Sequence, residues 1–338
     1  MKKIFCFSFL HLFVDFFSIY TLFTYKNSID NFYLWAVIYN CLAFFTQPIF
    51  GAILSKRKHC LEISLLACVI LAFSSLIPIY YIAIPITALM NSLYHVAAGE
   101  EVLEHTKKSA PLGIYIAFGS LGVGLGVTFH NDALFMSMLV LFLFISALTY
   151  SFKDEAYKIN FDDNYINKKV NFKLLILPLI FIFISVMIRG FFGQYSSNVQ
   201  FTDYNFLIIS VIVFVGKFLG GFIFDYLKAH VLFLLSLLLT IIGIVFNGNE
   251  YLMLLAYLGP NLLMGFTLDG IRRTMPNYKA FGFGLVAASL MFGTMVGNYF
   301  IVYLGYSEFI KYIFLLVNIV LVYVTYILLK KERRYLWF

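Results

Sequence analysis

The sequence predicts an all-α integral membrane protein, with 12 transmembrane helices in two pseudo-symmetric six-helix bundles. Three observations predict it. Apolar stretches, each about a bilayer thick, fill nearly all of the 338 residues, of which 62% are hydrophobic and 12% charged. With a mean hydropathy of +0.90 the chain lies far outside the range of soluble domains, and each stretch approaches the roughly 20 apolar residues that a spanning helix needs. Lysines and arginines gather in alternate gaps between the stretches, and a single charged segment divides the chain into halves that resemble each other.

The first span, 4–24, follows Met1-Lys2-Lys3. A signal peptide can begin this way, but the run exceeds an h-region and no small-residue cleavage site closes it, so it reads as a membrane helix. It carries His11 and Asp15, one turn apart on one face. The second span, 32–54, ends in Gln47, Pro48 and Gly51 and opens into Lys56, Arg57 and Lys58. The third covers 60–77 and the fourth 79–99, the latter with Asn91 and His95 one turn apart and Glu100 following. The fifth, 110–130, is dense in glycine (Gly113, Gly119, Gly122, Gly124, Gly126), and the sixth covers 133–151. Residues 152–171 break the rhythm with Lys153, Asp154, Glu155, Asp162, Asp163, Lys168 and Lys169. Without other clustered ligands the doubled Asp reads as part of a solvated linker rather than a metal site.

Beyond the linker the second half repeats the scheme. Span 172–193 holds Arg189 toward its outer end, where a long side chain can snorkel to the interface. Span 205–226 holds Lys217 near its centre, on the face of Gly220, Gly221 and Asp225. Span 230–247 follows. Span 250–270 ends in Asp269, which reads as an interfacial ion pair with Arg272 and Arg273. The eleventh, 279–304, repeats the glycine habit with Gly282, Gly284, Gly293 and Gly297, and the twelfth covers 308–329. At an offset near 170 residues Gly51 falls opposite Gly221, Asn91 opposite Asn261, and Gly122 and Gly126 opposite Gly293 and Gly297. Small residues four apart let helix backbones approach closely in lipid, and Gly113, Gly122, Gly126, Gly293 and Gly297 are expected at the seam between the bundles. The expected domains are therefore 1–151 and 172–338, joined by the linker.

With the amino terminus in the cytoplasm, 20 of the 24 basic residues fall on the inside. The positive-inside rule then puts both termini in the cytoplasm, most simply in a bacterial plasma membrane. Anionic lipid headgroups account for the +7 net charge, so no nucleic-acid partner is implied. Cys6, Cys41, Cys60 and Cys68 have neither metal-ligand nor CxxC spacing and read as thiols packed in helices.

The run Gln47-Pro48-Ile49-Phe50-Gly51-Ala52-Ile53-Leu54-Ser55-Lys56-Arg57-Lys58 resembles the Gly-x-x-x-Asp-Arg loop motif of the major facilitator superfamily, with Ser55 in place of the acid. Its counterpart Gly221-Phe222-Ile223-Phe224-Asp225 keeps the acid. In that superfamily the acid latches the cytoplasmic helix ends. The resemblance implies the major facilitator fold for the whole chain and leaves the first-half latch in question. Within it, His11-x-x-x-Asp15, Asn91-Ser92-Leu93-Tyr94-His95 and Met275-Pro276 leading to Gly282 and Gly284 are similar to segments of fosmidomycin-resistance-like exporters, although Val96 stands where those have proline. Gly113, Gly122 and Gly126 are spaced as in the superfamily's antiporter motif, with Val127 instead of its proline, which tilts the expectation toward export.

Intramembrane ionisable groups carry the mechanistic reading. A charge at a helix centre costs about 2.5–3.5 kcal/mol even on mild insertion scales, so it persists where it pairs, meets water or moves a proton. His11, Asp15, Asn91, His95, Lys217 and Arg189 are the candidates for proton coupling or for lining a substrate cavity; Gln47, Pro48, Gly51, Gly221 and Asp225 are candidates for gating. Lys217 has two open functional roles, neutralising an acid such as Asp15 or binding an anionic substrate, beside a purely structural ion pair. No phosphate-binding loop and no clustered catalytic or metal-ligand set is present in the sequence. The expectation is thus a monomeric secondary transporter, not an enzyme, without cofactor or metal, taking a small molecule and protons. Uptake through the same fold and a lipid-modifying membrane enzyme are the alternatives.

Overall fold

A computed structural model describes residues 2–55, 59–153, 172–195, 203–246, 248–304 and 308–331. Lys56, Arg57, Lys58, most of the 152–171 linker, Arg333 and Arg334 lie outside the described residues. Among the described residues there are twelve helical rods: α1 Lys2–Thr24, α2 Phe32–Leu54, α3 Cys60–Ser74, α4 Tyr80–Glu104, α5 Ser109–Thr128 and α6 Asp132–Ser151 come before the linker, and α7 Phe172–Tyr195, α8 Asp203–Tyr226, α9 Ala229–Val245, α10 Glu250–Thr274, α11 Lys279–Leu304 and α12 Glu308–Lys331 after it. Nine stretches among the described residues are long and apolar enough to cross a membrane; Cys60–Ser74, Leu175–Phe191 and Ala229–Val245 are apolar but shorter. The chain is an integral, multi-pass membrane protein.

Local chemistry sets the starts and interruptions of these rods. Asn31, Asn131 and Asn249 precede α2, α6 and α10, and each side chain accepts from a backbone N–H of the first turn, satisfying donors that the helix itself leaves open. α2 is not continuous. A π-helical turn, Cys41–Phe45, precedes the stretch Gln47–Leu54 with Pro48 in its first turn, where the missing N–H is tolerated. α10 is interrupted at Leu262 and Leu263, just after Pro260.

Sequence-adjacent and sequence-distant helices pack for the same reason: backbone carbonyls lie against glycines. In the first half α1 runs along α5, where a Cβ on Gly122 would collide with the Leu12 carbonyl and one on Gly126 would come within 2.8 Å of the Phe16 carbonyl. In the second half α7 runs along α11, and a Cβ on Gly293 would collide with the Met187 carbonyl. The two contacts are counterparts under the internal repeat. They correct the seam expectation: Gly122, Gly126 and Gly293 close packing inside their own halves, while Gly297 is buried. Between the halves the close approaches belong to α5 with α8 and α2 with α11. A Cβ on Gly113 would come within 2.6 Å of the Lys217 carbonyl, one on Gly221 within 2.6 Å of the Ser109 carbonyl, and one on Gly51 within 2.6 Å of the Ala280 carbonyl.

The largest core lies around α1, α4, α5 and α6, built on Phe7, Phe16, Phe17, Tyr94, Tyr115 and Phe142. Phe17 and Phe142 stack with centroids 5.3 Å apart. On the outside, Ile49, Phe73, Val140 and Phe144 are each more than 60% exposed, a surface that suits acyl chains and not water. The four cysteines form no disulfide with one another.

Candidate functional site

The site begins on α1, where helical spacing puts His11 and Asp15 on one face, with His11 Nε2 3.3 Å from Asp15 Oδ2. α4 brings a second pair four residues apart. His95 Nε2 lies 3.4 Å from Asp15 Oδ1, and Asn91 Nδ2 donates to Asp15 Oδ1 and to Ser18 Oγ, both at 3.1 Å. The two imidazoles meet edge to face with centroids 4.5 Å apart. The side chains of His11, Asp15 and His95 are only 6%, 14% and 14% exposed.

The backbone decides the tautomers. His11 Nδ1 is 2.8 Å from the Tyr115 carbonyl of α5, and His95 Nδ1 is 2.8 Å from the Asn91 carbonyl. A carbonyl oxygen only accepts, so each ring donates from Nδ1 and turns Nε2 toward the carboxylate. Gly119 makes the room: a Cβ there would collide with His11 Nε2 and come within 2.5 Å of Asp15 Oδ2.

From the other half, Lys217 of α8 reaches across to α5, where its Nζ donates to Ser120 Oγ at 2.7 Å. It stands within electrostatic reach of His95, Asp15 and Arg189. Of its two open roles, a direct ion pair with Asp15 is not formed; a hydroxyl holds the ammonium. Arg189 differs from expectation more sharply. Rather than snorkelling outward it is 8% exposed, donates to Met264 Sδ and, at 3.0 Å, to Thr267 Oγ1 of α10, and its Nε has no partner among the described residues. At this depth a guanidinium finds polar partners only toward the protein interior.

The gating candidates converge on one end of the molecule. Asp225, at the end of α8, accepts from the backbone N–H groups of Ser109 and Ala110 at 2.9 and 2.6 Å, capping α5 in the other half. Ser55, at the end of α2, occupies the equivalent place: its Oγ accepts from Phe281 N at 3.2 Å at the start of α11. The first-half contact is therefore made by a neutral hydroxyl in place of the acid. Gly51 and Gly221 permit these approaches, and Gln47 meets Gly284 through its carbonyl. Its side-chain Nε2 returns to the Ala43 carbonyl at 2.9 Å while Oε1 is left unpaired. Pro48 shapes the start of the same stretch. Arg272 adds contacts across the halves to the carbonyls of Thr106 and Lys107, Lys279 pairs with Glu104, and Asp269 holds Arg272 and Arg273.

The structure thus joins His11, Asp15, Asn91 and His95 directly, brings Lys217 within electrostatic reach of them from the second half, turns Arg189 onto α10, and gathers the loop-motif residues at a separate contact between the halves. Residues that sequence reasoning missed are Ser18, Ser120, Met264 and Thr267. Their only signal was a small polar or thioether side chain in an apolar span. Tyr94, beside His95 on α4, spends its hydroxyl on the Phe7 carbonyl at 2.7 Å. An apolar groove of about 290 Å³ between α2, α7 and α11, lined by Phe45, Phe183, Met187 and Phe292, contains none of the predicted site residues.

Sequence comparison finds no matching family model and no matching curated protein. Solved structures do match. The proton:xylose symporter XylE is 12% identical with a TM-score of 0.65, over 96% of this chain and 94% of that one. FucP, a major facilitator superfamily transporter in the outward conformation, is 14% identical with a TM-score of 0.57, over 94% and 99%. A variant of the E. coli fucose:proton symporter FucP gives 13% and 0.61, over 96% and 99%. The chain shares their fold over nearly all of its length.

Proposed function

We propose that this chain is a secondary active transporter of the major facilitator type, not an enzyme, that exports a small molecule in exchange for protons by alternating access. Residues 1–151 rock against 172–338 about the α5–α8 and α2–α11 contacts, in a monomer with both termini in the cytoplasm of a bacterial cell. One observation carries the reading: a buried carboxylate shared by two histidines, His11 and His95, stands within electrostatic reach of Lys217 from the other half. The segments similar to fosmidomycin-resistance-like exporters supply Asp15, His11, Asn91 and His95, and their convergence supports that subgroup.

A proton entering the cluster adds charge near a lysine whose ammonium donates to Ser120. That weakens the attraction between Asp15 and the cations of the second half and eases the halves apart; losing the proton restores the attraction. Arg189, with Nε unpaired, is placed to take an acidic or hydrogen-bond-accepting group of the substrate. At the latch, Asp225 and Ser55 hold the structure closed, and breaking them opens that end.

The test is a growth screen of an efflux-deficient host against a panel of toxic compounds, followed by transport of any hit in vesicles with an imposed pH gradient. Asp15→Asn is expected to insert normally and to lose protection and proton-driven movement. Undiminished transport by that variant removes Asp15 from the mechanism. Because XylE and FucP are described as proton symporters, uptake is the second reading: accumulation driven by protons moving with the solute selects it over exchange.

A further inference from the structure

The His11–Asp15–His95 cluster has a second chemistry. Because both Nδ1 atoms donate to backbone carbonyls, both Nε2 atoms turn toward a carboxylate that can only accept when ionised. Three electron-pair donors therefore converge, and something positive must lie among them. We propose that this cluster is a binding site for a divalent transition-metal ion of the zinc class, taken in competition with protons.

Geometry supports the metal. A charge-assisted N–H···O bond is about 2.7–2.9 Å long, whereas the two imidazole–carboxylate separations are 3.3 and 3.4 Å. Zinc ligands lie about 2.0–2.2 Å from the ion, and two of them at a tetrahedral angle are about 3.3–3.5 Å apart. The two separations match the edge length of such a polyhedron, with a different carboxylate oxygen facing each imidazole. All three ligand atoms fall within 4.8 Å of one another.

The surroundings are those of a ligand set. Metal-binding histidines characteristically donate their other ring nitrogen to a carbonyl, which fixes orientation and raises basicity, and ligating carboxylates are themselves hydrogen-bonded. Tyr115 and Asn91 supply the two carbonyls, and the Asn91 amide holds Asp15. Two imidazoles and one carboxylate favour zinc, cobalt or ferrous iron over calcium or magnesium, which take oxygen shells. Lys217 is the cation facing the site from α8, and its charge opposes the ion.

This inference shares residues with the transport reading but is measured without transport. Purified, detergent-solubilised protein lacking an affinity tag of histidines is titrated with Co²⁺, followed by its visible absorption, and then with Zn²⁺ in competition. One equivalent is expected, with binding weakening as pH falls. His95→Ala is expected to abolish the band, Asn91→Ala to weaken affinity about 10–100-fold, and Lys217→Gln to strengthen it; His130→Ala, on an exposed histidine remote from the cluster, leaves it unchanged. X-ray absorption at the zinc edge of the unsubstituted protein is expected to show two imidazoles, so the inference does not depend on a variant that folds. Absence of stoichiometric binding, a spectrum without imidazole, or a monodisperse His95→Ala protein that binds as before would overturn it. Metal binding by a protein that moves no solute would leave this inference standing and sink the transport reading alone.

Discussion

Removing the Asp225 carboxylate should open the latch by an amount that the structure lets us work out. Asp225→Ala deletes two hydrogen bonds, from Ser109 N at 2.9 Å and Ala110 N at 2.6 Å. Bonds to a charged acceptor are worth about 1.5–3 kcal/mol each. Asp225 is only partly buried, so the lower figure applies and the pair is worth about 3 kcal/mol. These bonds join α8 to the start of α5, so under the proposed rocking they are made only while this end is closed. At tenfold per 1.4 kcal/mol, their loss shifts the closed-to-open ratio by roughly 100-fold. Asp225→Asn keeps one accepting oxygen and should shift it roughly tenfold. Hydrogen exchange read by mass spectrometry checks this locally: amides at the start of α5 should exchange faster by those factors, while those in the middle of α6, which packs on α1 and α3, stay unchanged. Unaltered exchange at Ser109 and Ala110 in Asp225→Ala would refute the claim that the carboxylate holds the halves. Faster exchange everywhere would show a folding defect instead and refute its local character.

Two further substitutions separate function from stability. Gly119→Ala places a methyl against His11 Nε2 and Asp15 Oδ2; overpacking of this kind costs about 1–3 kcal/mol. The thermal midpoint should fall modestly while proton-coupled transport is lost, and intact transport would show that the cluster tolerates displacement. Arg189→Met removes a buried guanidinium whose Nε is unpaired. Since replacing a buried charge by a well-packed apolar chain is often neutral or stabilising by about 1–4 kcal/mol, the thermal midpoint should hold or rise as substrate binding disappears. A marked fall would mean that Arg189 serves structure and not the substrate.

The i, i+4 spacing of His11 with Asp15 and of Asn91 with His95 was enough to place each pair on one helical face. Sequence could not tell that the two faces meet, because α1 and α4 are separated by two helices in the chain. The loop-motif resemblance located both latch positions, yet Ser55 looked like a loss until its hydroxyl was seen to cap α11. The glycine pattern announced close packing and left its partner open: Gly122 and Gly293 turned out to serve α1 and α7 within their halves, whereas Gly113 and Gly221 serve the junction.

The amino-acid order alone determined that the chain fills a bilayer with helices, where those helices lie to within a few residues, and which polar groups share a face within one helix. Only the tertiary structure decided that Arg189 turns inward, that Lys217 reaches Ser120, and that two histidines close on one carboxylate. The reason is physical. Backbone hydrogen bonding and hydropathy act along the chain and fix each helix, but the rotation of a helix about its own axis is set by its neighbours. In lipid, where almost every face is apolar, only close packing and the few buried polar contacts distinguish one rotation from another.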